Sequence, residues 1–411
     1  MCYLILMLSI AIPPIGIIGG LYGLYKNFQN WRIFVFCIAL GIASVAYCYY
    51  PKGDPDLVRY IEYITSLRGV SLADALTYGF RGETNTFMFS AFCWLAAQIN
   101  DPHIIPALSS FFVYFCGMNV ACKLSEDLDI NRGVTLTYIL FILLSLNAYS
   151  IFNNVRNIFA FTIISYAFFR DVYLHKRNAL TIILYIFPVF IHQSAVLLIL
   201  VRLVLFIVPK MRKAMLIVVL FLKPIIHIAY GVAIKFSSGN VIISLIKTLI
   251  IRAEVYYNDT SSSWGLYIQN ILSFKVERVL NIGFTVIIGM LILYLTRKER
   301  TGKTRIEKKT LVLMDYSYVL CILTISCWPM LSPTYWRFYS VAVLFSAVVF
   351  YTVSKNGNQN SVLLSRAILL VIPFQVLLSV VRLSNSDLTA LLLKPFVSSP
   401  VIVLGKALFA L

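Results

Sequence analysis

The chain has 411 residues, 60% of them hydrophobic and 13% charged, with a mean hydropathy of +0.85. Apolar runs of about 20 residues recur along its whole length, which excludes a soluble globular domain and implies a lipid bilayer as its surroundings. The net charge of +18 sits in short turns between apolar runs, as the positive-inside bias produces, so nucleic acid is excluded as a partner.

Residues 3–25 and 31–50 are expected to be the first two spans. The first lacks a basic leader and a cleavage site and is read as retained. Lys26 and Arg32 place the turn between them in the cytoplasm. The loop 51–83 then faces outward. It mixes Asp, Glu and Arg with aromatic residues, and a helix is expected from Asp56 to about Arg68. Residues 84–100 are expected to form an interfacial or re-entrant helix, which protein or water must cover. Residues 103–122 cross inward, 134–152 outward, and 156–172 return. From 178 to 208 the run is apolar, with His175, Lys176 and Arg177 before it and Lys210, Arg212 and Lys213 after it. A hairpin of two short helices bending at residues 188–192 keeps both clusters inside and lifts His192 toward the outer side.

Residues 214–233 cross outward into a second large loop, 235–277, in which Lys247 and Arg252 interrupt an apolar surface helix. Residues 278–296 return to a cytoplasmic loop, 297–309, with seven basic and two acidic residues. Spans over 310–328, 338–353 and 362–382 follow, and the tail from Asp387 has room for one more. The expected architecture is all-α: a polytopic integral membrane helical bundle of about twelve crossings, in a range of roughly ten to fourteen. It forms a single domain over 1–411 with two larger outer loops. The eight cysteines have no CxxC spacing and lie mostly in apolar runs, so they read as small core residues.

The stretch from 153 to 194 carries Arg156 near one end and His192 near the other, both toward the outer face on this topology. Charged groups near hydrocarbon usually face a watered cavity or a partner. The plainer alternative is that Arg156 snorkels to the headgroups and His192 makes a hydrogen bond inside the bundle. The outer side also collects Asp56, Arg59, Tyr60, Glu83, Arg252, Arg278, Arg337 and Arg382. Arginines at span ends suit a multivalent anion, because the guanidinium fork matches phosphate oxygens with paired hydrogen bonds. For Arg59, close to Asp56 in sequence, the plainer reading is an ion pair. Arg156 and Arg337 have no acidic residue next to them in sequence. A carboxylate or imidazole beside such a site can take a proton from a hydroxyl. No HExxH, Walker or GxGxxG pattern occurs, so no metal and no cofactor is expected.

The order DLVRY at 56–60, Glu83 before an aromatic-rich helix, NVRNIFAF at 154–161, IHQSA at 191–195 and WRFY at 336–339 resembles the EpsG-like branch of the Wzy-type O-antigen and exopolysaccharide polymerases. The resemblance implies a GT-C-like membrane glycosyltransferase. It would join oligosaccharide repeat units carried on undecaprenyl pyrophosphate, at the periplasmic face of the inner membrane, with a chain-length regulator protein as a further partner. It implies His192, Asp56 and Glu83 as candidate catalytic residues. Arg156, Arg337 and Arg59 would bind pyrophosphate, with Arg252, Arg278 and Tyr60 in secondary roles. A flippase for the same lipid-linked sugar, which needs no base, and an O-antigen ligase remain the alternatives.

Overall fold

The computed structural model describes residues 2–51, 56–80, 82–83, 86–235, 247, 250–251, 253–255, 257, 271–328, 335–356 and 359–383, together with 391, 393–399, 401 and 405. The described residues are helical throughout, joined by turns, with one isolated bridge at Phe80 and Glu83. The chain is a polytopic helical membrane protein. Among the described residues, five helical segments are long and apolar enough to cross a bilayer: Phe28–Tyr47, Ile104–Asp127, Leu272–Arg300, Lys308–Ser326 and Tyr335–Lys355.

Among the described residues, several of the other apolar runs expected to cross are not unbroken helices. Residues 3–25 divide into Cys2–Ala11 and Pro13–Lys26, with Pro13 opening the second helix, where its missing N–H costs nothing. The expected crossing at 214–233 is a pair, Val208–Val219 and Leu222–Ala233, bent by 81°. Pro224 lies at the start of the second helix and has no N–H to bond back across the break. The segment expected to be interfacial or re-entrant rather than a crossing forms a 12-residue helix, Phe87–Gln98, which rises about 18 Å, short of a hydrocarbon core of about 30 Å.

The chain forms two compact units, Met1–Ile199 with Val343–Leu411, and Leu200–Ala342. In the first, Ile104–Asp127 is the central helix. It packs against Trp31–Tyr47, Val155–Phe168, Arg132–Ser145 and Ala347–Lys355. Polar side chains tie these helices together: Ser109 donates to the Val155 carbonyl at 3.1 Å, and the Tyr138 hydroxyl donates to the Val343 carbonyl at 2.5 Å. In a bilayer such bonds and close packing replace the hydrophobic drive between helices.

Close packing is most evident where Pro13–Lys26 meets Trp31–Tyr47. A Cβ on Gly16 would lie 2.6 Å from the Cys37 carbonyl oxygen, and one on Gly20 would lie 2.7 Å from that of Phe34. Backbone cannot swing aside as a side chain can. Gly20→Ala is therefore expected to destabilise the protein by about 1–3 kcal/mol, as overpacking does. Gly283→Ala, whose new Cβ meets nothing within 4 Å, is expected to leave the melting temperature in detergent unchanged or higher. Equal melting of the two variants would contradict this helix contact.

In the second unit, Leu272–Arg300 packs against Lys308–Ser326, which also packs against Val208–Leu220. Asp315 accepts from Arg212 Nε at 2.6 Å, with both side chains at most 9% exposed. A buried charge of either sign is tolerated only with such a partner. The Tyr318 hydroxyl donates to the Arg212 carbonyl and pins the same contact.

Candidate active site

The polar residues of the first unit converge through three local devices. The first is the helix Asp56–Ser66, which forms where sequence reading expected it. Its buried residues Leu57, Tyr60 and Ile64 recur at three and four positions, one face of an α-helix. The second is the turn after Leu72–Tyr78. Gly79 and Gly82 adopt positive φ of 60° and 75°, a region open to glycine, and the chain reverses so that Phe80 and Glu83 pair. The third is the restart of the helix at Val155. Asn153 Nδ2 donates to the Tyr49 hydroxyl at 3.0 Å, and Asn154 Nδ2 donates to the Ser150 carbonyl at 3.0 Å. Arg156 is therefore the second residue of Val155–Phe168.

Arg156 meets Glu83 there. Its Nη1 donates to Glu83 Oε2 at 3.0 Å, with the two side chains 13% and 29% exposed. The guanidinium carbon lies 5.3 Å from the Phe80 ring centre and 5.4 Å from that of Phe89. Tyr60 packs edge-on against both rings, at 5.2 and 5.0 Å. One cation is thus held by a carboxylate over an aromatic platform, a geometry in which the rings' negative faces add to the attraction. The buried Arg156 Nε has no hydrogen-bond partner among the described residues.

His192 lies where the apolar run 178–208 breaks. Helix Ala179–Ile186 passes into a 3₁₀ turn, Phe187–Phe190, and a second 3₁₀ turn, Gln193–Ala195, leads into Val196–Val204. The break falls at the residues expected, with Pro188 inside it. His192 has extended backbone angles, and its N–H donates to the Pro188 carbonyl at 2.9 Å. The imidazole is buried, 6% exposed, with its ring 5.9 Å from that of Phe161. Phe161 lies five residues after Arg156, about 7–8 Å along the same helix. Phe190 contacts Phe87 at 4.6 Å, four residues past Glu83. The His192 turn is thus strapped to the Arg156 helix on one side and to the helix that follows Glu83 on the other.

Glu83, Arg156 and Tyr60 are accordingly brought together in the first unit, and His192 lies against the Arg156 helix one to two turns further along. Asp56 and Arg59 bond each other at 3.0 Å, one turn apart and about a third exposed, the ion pair that their closeness in sequence suggests. Arg278 and Arg337 belong to the second unit. Arg278 stacks over Tyr335 at 5.3 Å. Arg337 is the third residue of Tyr335–Phe345, and its neighbour Trp336 packs on Phe274 at 5.4 Å. Arg252 lies outside the described residues.

Two parts of the site escaped sequence reading. Arg156 is not without a carboxylate, since Glu83 reaches it from 73 positions away. The platform of Phe80 and Phe89 was visible only as a local excess of aromatic residues. The EpsG family model matches residues 16–391. The chain belongs to the EpsG family. Its members are Wzy-type polymerase-like proteins, and this EpsG-family chain is a membrane-integral, polysaccharide-polymerase-like protein. No curated protein and no solved structure matches it.

Proposed function

We propose that this EpsG-family protein is a polysaccharide polymerase, a glycosyltransferase that joins oligosaccharide repeat units carried on undecaprenyl pyrophosphate at the periplasmic face of the inner membrane. The observation that carries this reading is the Arg156–Glu83 pair on its aromatic platform, with the His192 turn strapped beside it. In the reaction the acceptor hydroxyl oxygen bonds to the anomeric carbon of the growing glycan. The bond from that carbon to the pyrophosphate breaks, and the lipid pyrophosphate leaves with the bonding electrons.

The departing group gains negative charge, which a pre-oriented guanidinium stabilises more in the transition state than in the ground state. Arg156 has donors beyond the one that Glu83 engages. The faces of Phe80 and Phe89 and the Tyr60 ring hold the cation, and through it the leaving group, in one orientation. The acceptor hydroxyl must lose a proton, and His192 is the base we assign. An imidazole is an ordinary proton acceptor near neutral pH.

The discriminating experiment is the glycan profile of a strain lacking the protein. A single repeat unit on lipid A is expected, with polymer restored by the wild-type chain. Accumulation of free lipid-linked polymer would instead indicate a ligase, and loss of all surface glycan a flippase.

A further inference from the structure

The second unit contains two cavities whose linings follow the same helix faces. The first, of about 700 Å³, lies where the start of Val208–Leu220 meets the end of Leu272–Arg300. Lys210, Lys213, Arg297 and Arg300 line it and are exposed, and among the described residues no carboxylate lines it. Arg212 also lines it, and its charge is answered by Asp315. Arg300 Nη2 donates to the Pro209 carbonyl, bracing the two walls, and the Lys298 ammonium lies over the Tyr294 ring at 4.8 Å. Asp315 also acts on Arg300, so five cations face its single negative charge; the excess positive charge is self-repelling, and a multivalent anion relieves that repulsion.

The second cavity, of about 330 Å³, is almost wholly apolar. Leu216 and Val219 line it from Val208–Leu220, Val286 and Met290 from Leu272–Arg300, and Ile322 and Ile325 from Lys308–Ser326. Leu293 lines both cavities. On one helix the lining passes from Lys213 to Leu216, three residues on. On the other it passes from Arg297 to Leu293 to Met290, four and three residues back. Such spacings keep side chains on one helix face, so each face changes from cationic to apolar within a single turn.

A charged cavity next to an apolar one, with Leu293 in the wall of both, matches an amphiphile with an anionic head and a hydrocarbon tail. We propose that this pair of cavities is a binding site for a phosphate-headed membrane lipid, with the phosphate among Lys210, Lys213, Arg297 and Arg300 and the chain against Leu216, Met290 and Leu293. Basic pockets between membrane helices hold anionic headgroups by this chemistry. The site lies wholly in the second unit, and it is independent of the reaction proposed for Arg156 and His192.

The test is native mass spectrometry of the detergent-purified full chain, with phosphatidylglycerol and phosphatidylcholine in equal amounts. The expected result is selective retention of phosphatidylglycerol, reduced at least about tenfold in Lys213→Gln/Arg297→Gln. Gly289→Leu tests the tail. Gly289 lines the apolar cavity, and a Cβ there meets only Tyr318 Cε2, at 3.9 Å, so the larger side chain occupies the cavity while the charges stay. Weaker retention in this variant is expected too. Equal retention of the two lipids, full retention in the charge variant, or unchanged retention in Gly289→Leu would overturn the proposal. So would complete displacement by millimolar inorganic phosphate, which would make this a free-anion site. Polyprenyl phosphate, added in competition, identifies the source: displacement of phosphatidylglycerol supports the site with a carrier lipid in it, and its retention supports the site with bulk phospholipid.

Discussion

Arg156→Lys is expected to reduce polymer formation by about 10²–10³-fold, the usual loss when one oriented donor to a developing negative charge is removed. Lysine keeps the positive charge and can still reach a carboxylate. It cannot engage Glu83 with one edge, lie flat over Phe80 and Phe89, and present a second donor edge to phosphate oxygens. Glu83→Gln is expected to reduce activity less, because it removes the holder of the guanidinium rather than the guanidinium. It also leaves a mostly buried cation without its carboxylate, costing about 1–3 kcal/mol of stability, which a melting curve in detergent would report. If Glu83 acts only through Arg156, the double variant should be no worse than Arg156→Lys alone, since residues in direct contact are not additive. The readout is the ladder of chain lengths made from lipid-linked repeat units. A wild-type ladder from well-expressed Arg156→Lys would remove the guanidinium fork from the chemistry.

His192→Gln and His192→Ala are both expected to lose about 10²–10⁴-fold in activity, the range for loss of a positioned general base. Glutamine separates the two possible roles of the histidine. It keeps a hydrogen-bonding side chain of similar reach at the break between the two 3₁₀ turns, yet it cannot accept a proton near neutral pH. The turn has its own anchors, in the Pro188 carbonyl, the Phe87–Phe190 contact and the buried Ala195, so both variants should fold. Full-length polymer from a well-expressed His192→Gln would leave the imidazole a structural role only. Two well-folded but inactive variants would support its role as base.

The break that presents His192 was legible in sequence because Pro188 cannot continue the hydrogen-bond ladder and the flanking basic clusters bound the run. The helix at Asp56 was legible from its apolar spacing. The ion pair of Asp56 with Arg59 followed from their separation of one turn. Other breaks were less legible: the division at Ile12 and the 81° bend at Val208–Ala233 interrupt runs whose hydropathy alone reads as continuous. Hydropathy measures whether a segment tolerates lipid, and it does not report whether its backbone ladder is whole.

Taken by itself, the sequence determined the solvent, the helical class, the family motifs and the kinds of chemistry available, since these depend on composition and short-range spacing. Only the tertiary structure decided which charges meet. Glu83 reaches Arg156 because glycines at 79 and 82 reverse one segment and asparagines at 153 and 154 restart another. Phe80 and Phe89 become a platform because Tyr60 and Arg156 arrive from different helices. In the second unit, the anionic-lipid site proposed above depends on the faces of Val208–Leu220 and Leu272–Arg300 lying side by side. Those pairings join residues tens of positions apart, and local periodicity carries no record of them, because a helix face specifies that it must be covered but not by which partner.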